Sequence, residues 1–149
     1  MAQDPLDSVA FERAARSLEH RDRSRADVVA RLERAGVAAD ELEATLEKLE
    51  RVGWVDDIRF ATSRAMALAE RGHGDAAIRA DLADSGVEVD KIDAALAGLV
   101  PELERARSVV AERGATPATA RFLARKGFDD ETVETVVAAG FAAGDDAGV

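Results

Sequence analysis

The chain has no cysteine and no tyrosine, and only two histidines, three prolines and one tryptophan in 149 residues. Without cysteine there is neither a disulfide framework nor a thiolate metal site. With no thiol, no phenol and no glycine-rich loop ending in Gly-Lys-[Ser/Thr], thiol, general acid–base and phosphoryl-transfer mechanisms lack their usual parts, so no enzyme, cofactor or metal is expected. No apolar run approaches the roughly 20 residues that a membrane span requires. The start, Met1-Ala-Gln-Asp-Pro-Leu-Asp7, is acidic and has no apolar signal core, and a cytoplasmic protein without membrane contact is the expectation. A cationic surplus is missing too: 20 basic against 30 acidic side chains give a net charge of −10, which argues against tight non-specific binding to nucleic acid. The scarcity of proline beside abundant Ala, Leu, Glu and Arg favours helix throughout, and the expected class is all-α.

What the chain does have is a repeat. Leu32–Gly36–Val37, Leu82–Gly86–Val87 and Leu123–Gly127–Phe128 share one spacing, in which a glycine stops one amphipathic segment and an apolar residue opens the next. On either side the apolar offsets agree. Leu42, Leu46 and Leu49 follow Val37 as Ile92, Leu96 and Leu99 follow Val87, and Val133 and Val137 continue the series after Phe128. The spacing predicts three tandem three-helix, helix-turn-helix-like units in an elongated, curved array: residues 8–53, 54–100 and 101–141, between a flexible start (1–7) and a flexible tail (142–149). Phe11, Ala14, Ala15 and Leu18 mark the first helical face; Ser24-Arg-Ala-Asp27 is a capping start for the second helix, and Val28, Val29 and Leu32 its buried side. Leu42, Leu46, Leu49 and Val52 mark the third, closed by Gly53. Asp56 and Asp57 suit the N-terminus of a fourth, with Ile58, Ala61, Ala65 and Leu68 facing inward. Thr116-Pro117 reads as an N-cap followed by proline at the first helical position.

Although no third of the chain is net basic, the arginines are not evenly spread. Arg13, Arg16, Arg21, Arg23 and Arg25 crowd into the first helix and the turn after it, with His20 on the face of Arg13 and Arg16. Arg121, Arg125 and Lys126 form a second group on one helix. Each group is read either as a contact for phosphates or an acidic partner groove, or as a solvated face balanced by Glu12, Glu19, Asp22 and Asp27. Trp54 is expected to wedge between the first and second units, with an interface anchor as the alternative. Phe11 and Phe60 are expected in the core. Asp56 and Asp57 are read as helix caps rather than as acid–base carboxylates or metal ligands, and Gly72-His73-Gly74 as an interhelical turn rather than a phosphate cradle.

These residues resemble the RecX regulatory proteins. Arg51-Val-Gly-Trp-Val-Asp-Asp-Ile-Arg-Phe-Ala61 is similar to that family's Gly-aromatic-x-Asp-Asp-x-Arg-Phe-Ala signature, here Trp54, Asp56, Asp57, Arg59 and Phe60. Arg71-Gly-His-Gly-Asp-Ala-Ala-Ile-Arg-Ala-Asp-Leu82 and Arg121-Phe-Leu-Ala-Arg-Lys-Gly-Phe128 resemble its elements in the second and third repeats. With Arg23-Ser-Arg-Ala-Asp27 they run in family order from about Ser8 to Val137. The resemblance implies three repeated three-helix units and a non-enzymatic regulator. Such a protein lies in the groove of the RecA filament on single-stranded DNA, reduces its ATP hydrolysis, strand exchange and coprotease activity, and so restrains recombination and the SOS response. The two arginine groups, read from the residues themselves, are the candidate contacts with the filament or its DNA, and a monomer is expected. One departure concerns the second helix of the middle unit. Where the family usually carries several basic residues, this chain has Asp75, Asp81 and Asp84 with only Arg79, so the implied contact is with protein more than with DNA. Two other classes remain open: an independent helix-turn-helix DNA binder and a general helical adaptor.

Overall fold

The structure, a computed structural model, describes residues 9–19 and 21–147. The expected flexible start, Ser8, His20, Gly148 and Val149 lie outside the described residues. Among the described residues there are nine helices and no strand: α1 (Val9–Leu18), α2 (Arg25–Arg34), α3 (Ala39–Arg51), α4 (Asp57–Glu70), α5 (Asp75–Asp84), α6 (Val89–Ala97), α7 (Glu102–Arg113), α8 (Pro117–Arg125) and α9 (Asp130–Ala147). Helix α9 continues past residue 141, where the third unit was expected to end, into the stretch expected to be a flexible tail.

One stop signal is used five times. After α2, α3, α4, α5 and α8 a glycine with positive φ follows the last turn, and the next N–H reaches back to a leucine carbonyl: Val37 to Leu32, Trp54 to Leu49, His73 to Leu68, Val87 to Leu82 and Phe128 to Leu123, at 2.9–3.1 Å. This Schellman closure satisfies carbonyls that the helix end leaves orphaned. The starts are more varied. Ser24 Oγ accepts from Asp27 N, Asp56 Oδ1 from Ile58 N and Arg59 N, and Thr116 Oγ1 from Thr119 N with Pro117 next. Side-chain caps are absent at Ala38, Gly74, Glu88 and Pro101.

The helices pack in threes, and each triplet has its own core. Phe11, Ala14, Val28, Leu32, Leu42, Leu46, Leu49 and Val55 form the first; Ala61, Ala65, Leu68, Ile78, Leu82, Val87, Ile92 and Ala95 the second; Ala106, Val110, Leu123, Phe128, Val133 and Val136 the third. Each fully buried leucine or isoleucine contributes about 1.5–3 kcal/mol by leaving water. Several expected core positions fall elsewhere. Val52 is 45% exposed because it is the C-cap of α3, turned away from the packed face. Ile58 is 63% exposed because the first turn of α4 lies outside the triplet whose core begins at Ala61. Phe60 is half-buried at the edge of the second core. Val136 is buried more deeply than Val137. Within α3 the core also takes Thr45, whose hydroxyl donates to Glu41 O at 2.8 Å and so costs little to bury.

The second helices of successive triplets abut end to start. At the α8–α5 junction Gly74 N donates to Lys126 O (2.7 Å) and Ala76 N to Gly127 O (3.2 Å). At the α5–α2 junction Ser24 Oγ donates to Ser85 O (2.7 Å). A carboxylate from the first helix of the following triplet meets the start of α2 and of α5: Asp57 Oδ1 accepts from Arg25 N at 2.7 Å, and Glu102 Oε1 from Asp75 N at 3.4 Å. At the α8–α5 junction backbone donors at one helix start are thus met by carbonyls at another helix end, and at the α5–α2 junction a serine hydroxyl takes the donor's part. An arginine braces each joint. Arg59 grips Asp22 with both Nε and Nη2 at 3.0 Å, while Arg105 reaches Val100 O, His73 O and Asp75.

Candidate partner-binding surface

The structure divides the first arginine group. Arg23 is nearly buried and committed: Nε donates to Ser17 O (2.7 Å) and Nη1 to Asp27 (3.0 Å). Burial pushes the Asp27 carboxyl up, but Arg23 and Arg31 outweigh it and hold it below the usual carboxylate range. Arg25 is tied by Nε to Glu50 (2.5 Å) and lies 3.6 Å from Glu43. Arg13 donates to Ala35 O at the end of α2 (3.3 Å), where a cation also complements the dipole. The Arg16 and Arg21 side chains are exposed and make no hydrogen bond or ion pair among the described residues. Arg21, Arg23 and Arg31 together line a cleft of about 400 Å³ where α2 meets α5, with Asp27, Asp84 and Ser85 on its other walls. His20 lies outside the described residues.

The second group stays together at the other end of α5. Arg121 and Arg125 are exposed and unpaired among the described residues, and Lys126 caps α8. Phe122 has two cations over its ring, with Arg113 Cζ 3.6 Å and Lys126 Nζ 5.8 Å from its centroid. Sequence reasoning missed Arg113, which sits on a different helix with no spacing to link it to Phe122. Burial lowers the pKa of His73, and Lys126, Arg71 and Arg64 lower it further against the pull of Asp81. The two groups flank α5, whose ten residues span about 15 Å. Between them the acidic residues of α5 are largely spoken for: Asp75 pairs with Arg105 and Asp81 with Arg64 (2.8 Å), while Arg79 pairs with Asp93 (2.7 Å). The third helices carry opposite charge, exposing Asp40, Glu41, Glu43 and Glu47 on α3 and Asp130, Glu131 and Glu134 on α9.

The signature residues are placed as follows. Asp56 is the N-cap of α4, as expected, whereas Asp57, expected at the same helix start, accepts from Arg25 N and so caps α2 across the joint. Gly36, Gly86 and Gly127 are the positive-φ stops, and the latter two also sit in the joints, where a Cβ would stand 2.4 Å from Ala26 Cβ and 2.6 Å from Ala77 Cβ. Trp54 corrects the wedge expectation: it is 46% exposed, whereas Val87 and Phe128 at the same place after the α5 and α8 stops are buried, and in the first triplet it is the next residue, Val55, that enters the core. One face of its indole rests on Phe11, with ring centroids 5.4 Å apart. Among the described residues no cluster of three or more His, Cys, Asp or Glu has the arrangement of a metal site, and no helix is long and apolar enough to cross a membrane. The arrangement favours binding through extended charged surfaces.

Comparison with known proteins places this architecture. The family model described as RecX, first three-helix domain, matches residues 10–49. The regulatory protein RecX of Acidithiobacillus ferrooxidans is 34% identical over 139 residues, covering 85% of this chain and 87% of that protein. Its counterpart from Xanthomonas campestris is 31% identical over 132 residues, covering 82% of each. Among solved structures, RecX from Lactobacillus salivarius superposes with a TM-score of 0.78 at 17% identity, over 93% of this chain and 97% of that one. A second crystal structure of regulatory protein RecX superposes with a TM-score of 0.72 at 24% identity, over 85% and 70%. The structural likenesses carry the fold, and the sequence identity over nearly the whole of both chains carries the kinship: the chain belongs to the RecX regulatory protein family.

Proposed function

We propose that this protein is a negative regulator of the RecA recombinase, acting in the cytoplasm as a monomer that binds the RecA filament on single-stranded DNA and lowers its ATPase, strand-exchange and coprotease activities. It works by binding and not by catalysis. The observation that carries this reading is membership of a family of named regulatory proteins, 34% identical over most of both chains. The geometry supports it in a second way: a jointed row of helices, made of units at residues 8–53, 54–100 and from 101 through α9, suits a long grooved polymer better than a small substrate. Arg13, Arg16, Arg21, Arg23 and Arg25 at one end of α5 and Arg121, Arg125 and Lys126 at the other supply the contact. Arg23 and Arg25 also hold the fold, so the free cations Arg16, Arg21, Arg121 and Arg125 are the ones to test. Changing these four to glutamine lowers affinity for a RecA filament on oligo(dT) and flattens its salt dependence. Unchanged affinity removes the two patches from the interface. An independent DNA binder is the poorer reading, because the net charge is −10 and the acidic third helices repel phosphate. Steeply salt-dependent binding of naked DNA by the wild type, with none of the filament, would reverse that preference.

A further inference from the structure

Trp54 occupies a groove of about 470 Å³, with Ala15, Leu18 and Gly53 beside it and Glu19, Asp22 and Arg59 at its margin. The groove is held in shape before anything enters it. Trp54 N donates to Leu49 O at 2.9 Å, and Phe11 supports the indole from one side. Arg59 closes the turn through Gly53 O (2.7 Å), so Gly53 and Trp54 cannot shift independently of α4. The charges at the margin are not balanced. Arg59 and Asp22 satisfy each other through the two-pronged pair already described, whereas Glu19 has no hydrogen bond or ion pair to its carboxylate among the described residues. What remains is an exposed indole face, an aliphatic patch and, at the margin, the Glu19 carboxylate, which is not held by any direct partner among the described residues although Arg16 and Arg21 are near it in sequence.

We propose that this groove takes an arginine or lysine side chain presented by the protein partner. The inference rests on the reading of this chain as a partner-binding regulator and names the chemistry recognised at one point of that interface. A basic side chain is the one natural group that matches all three features. Its methylene stem lies on Leu18 and Ala15, its cation faces the indole, which is the strongest of the aromatic cation acceptors, and Glu19 supplies the counter-charge. A half-exposed tryptophan on a rigid turn is also the residue type most enriched among interface hot spots. A nucleobase can stack on the same ring, but its phosphate then approaches Glu19, and the charge match is lost.

The chain has a single tryptophan, so its emission reports this groove alone. Titrating the full chain with an acetylated, amidated tri-arginine peptide produces a saturable change in Trp54 emission. The apparent affinity falls about fivefold in Glu19→Gln, the scale of a single cation–carboxylate contact. It is nearly unchanged in Glu47→Gln, which removes an exposed charge from α3, and oligo(dT) gives no saturable change. Equal losses in the two variants overturn the proposal, because they reduce the response to general attraction by an acidic protein. A response to oligo(dT) without one to the peptide overturns it as well. On RecA filaments, Glu19→Gln and Trp54→Leu each weaken binding about tenfold with helix content preserved, and filament binding undiminished in Glu19→Gln is a further refutation. A wild type that ignores filaments but answers the peptide through Glu19 removes RecA as the partner and leaves this assignment of the groove in place.

Discussion

Replacing Gly74 with alanine tests whether the junction between the second and third triplets is built by close backbone approach. Gly74 has φ −82° and ψ 171°, a conformation open to any residue, so the substitution carries no left-handed strain. Its Cβ, however, would fall 2.4 Å from Phe128 N and 2.5 Å from Gly127 C and O. Those are main-chain atoms of a helix stop and have no rotamer by which to retreat. The joint must open, at an overpacking cost of about 1–3 kcal/mol. The bonds Gly74 N to Lys126 O and Ala76 N to Gly127 O go with it, each worth about 1 kcal/mol. A net loss of about 3–5 kcal/mol follows, or roughly 6–20 °C in Tm for a chain of this size. Gly98→Ala is the matched control: φ is −80°, and the nearest atom to its Cβ is Ala95 O at an ordinary 3.6 Å. There the reduced freedom of the unfolded chain leaves stability unchanged or raised by a few tenths of a kcal/mol. Urea and thermal unfolding of the two variants side by side decide the matter. If Gly74→Ala melts with Gly98→Ala, the units are not seated against one another as described.

Gly86→Ala, with φ at +79° and its Cβ 2.4 Å from Ala26 Cβ, destabilises by about 2 kcal/mol, and Ala26→Gly in the same chain restores part of that loss, measured as a double-mutant cycle in urea. Acid lability reports the arginine ties. The hydrogen bond from Arg64 holds the Asp81 carboxyl below its ordinary value, so this pair stabilises the fold above about pH 4, where the unfolded carboxyl is ionised, and the contribution is lost as pH falls through the folded value. Asp81→Asn therefore lowers stability at pH 7 and makes less difference at pH 2–3, read from urea midpoints across that range; a difference independent of pH would exclude the ion pair as its source.

The repeat was legible because three Leu-x-x-x-Gly stops with agreeing apolar offsets fix helix ends and buried faces together. The same spacing at Leu49–Gly53–Trp54 and Leu68–Gly72–His73 was equally available as a helix stop, but it does not tell the outward Trp54 from the buried Val87 and Phe128, which follow identical stops. Helical periodicity names a face but not how far along the helix the neighbour extends, which is why Ile58 and Val52 were misplaced. The joints were not legible at all. Asp57 capping Arg25 N, Ser24 reaching Ser85 and Arg105 bracing Asp75 join residues 30 to 61 positions apart through polar contacts that leave no periodic trace. Those contacts also decide the candidate surface, since they separate the committed Arg23 and Arg25 from the free Arg16 and Arg21.

The most direct test is the rate of ATP hydrolysis by the cognate RecA on single-stranded DNA as this protein is titrated in. The account predicts a dose-dependent fall in that rate, blunted when Arg16, Arg21, Arg121 and Arg125 are changed to glutamine. A rate that stays level through a stoichiometric excess of the folded wild type would contradict it.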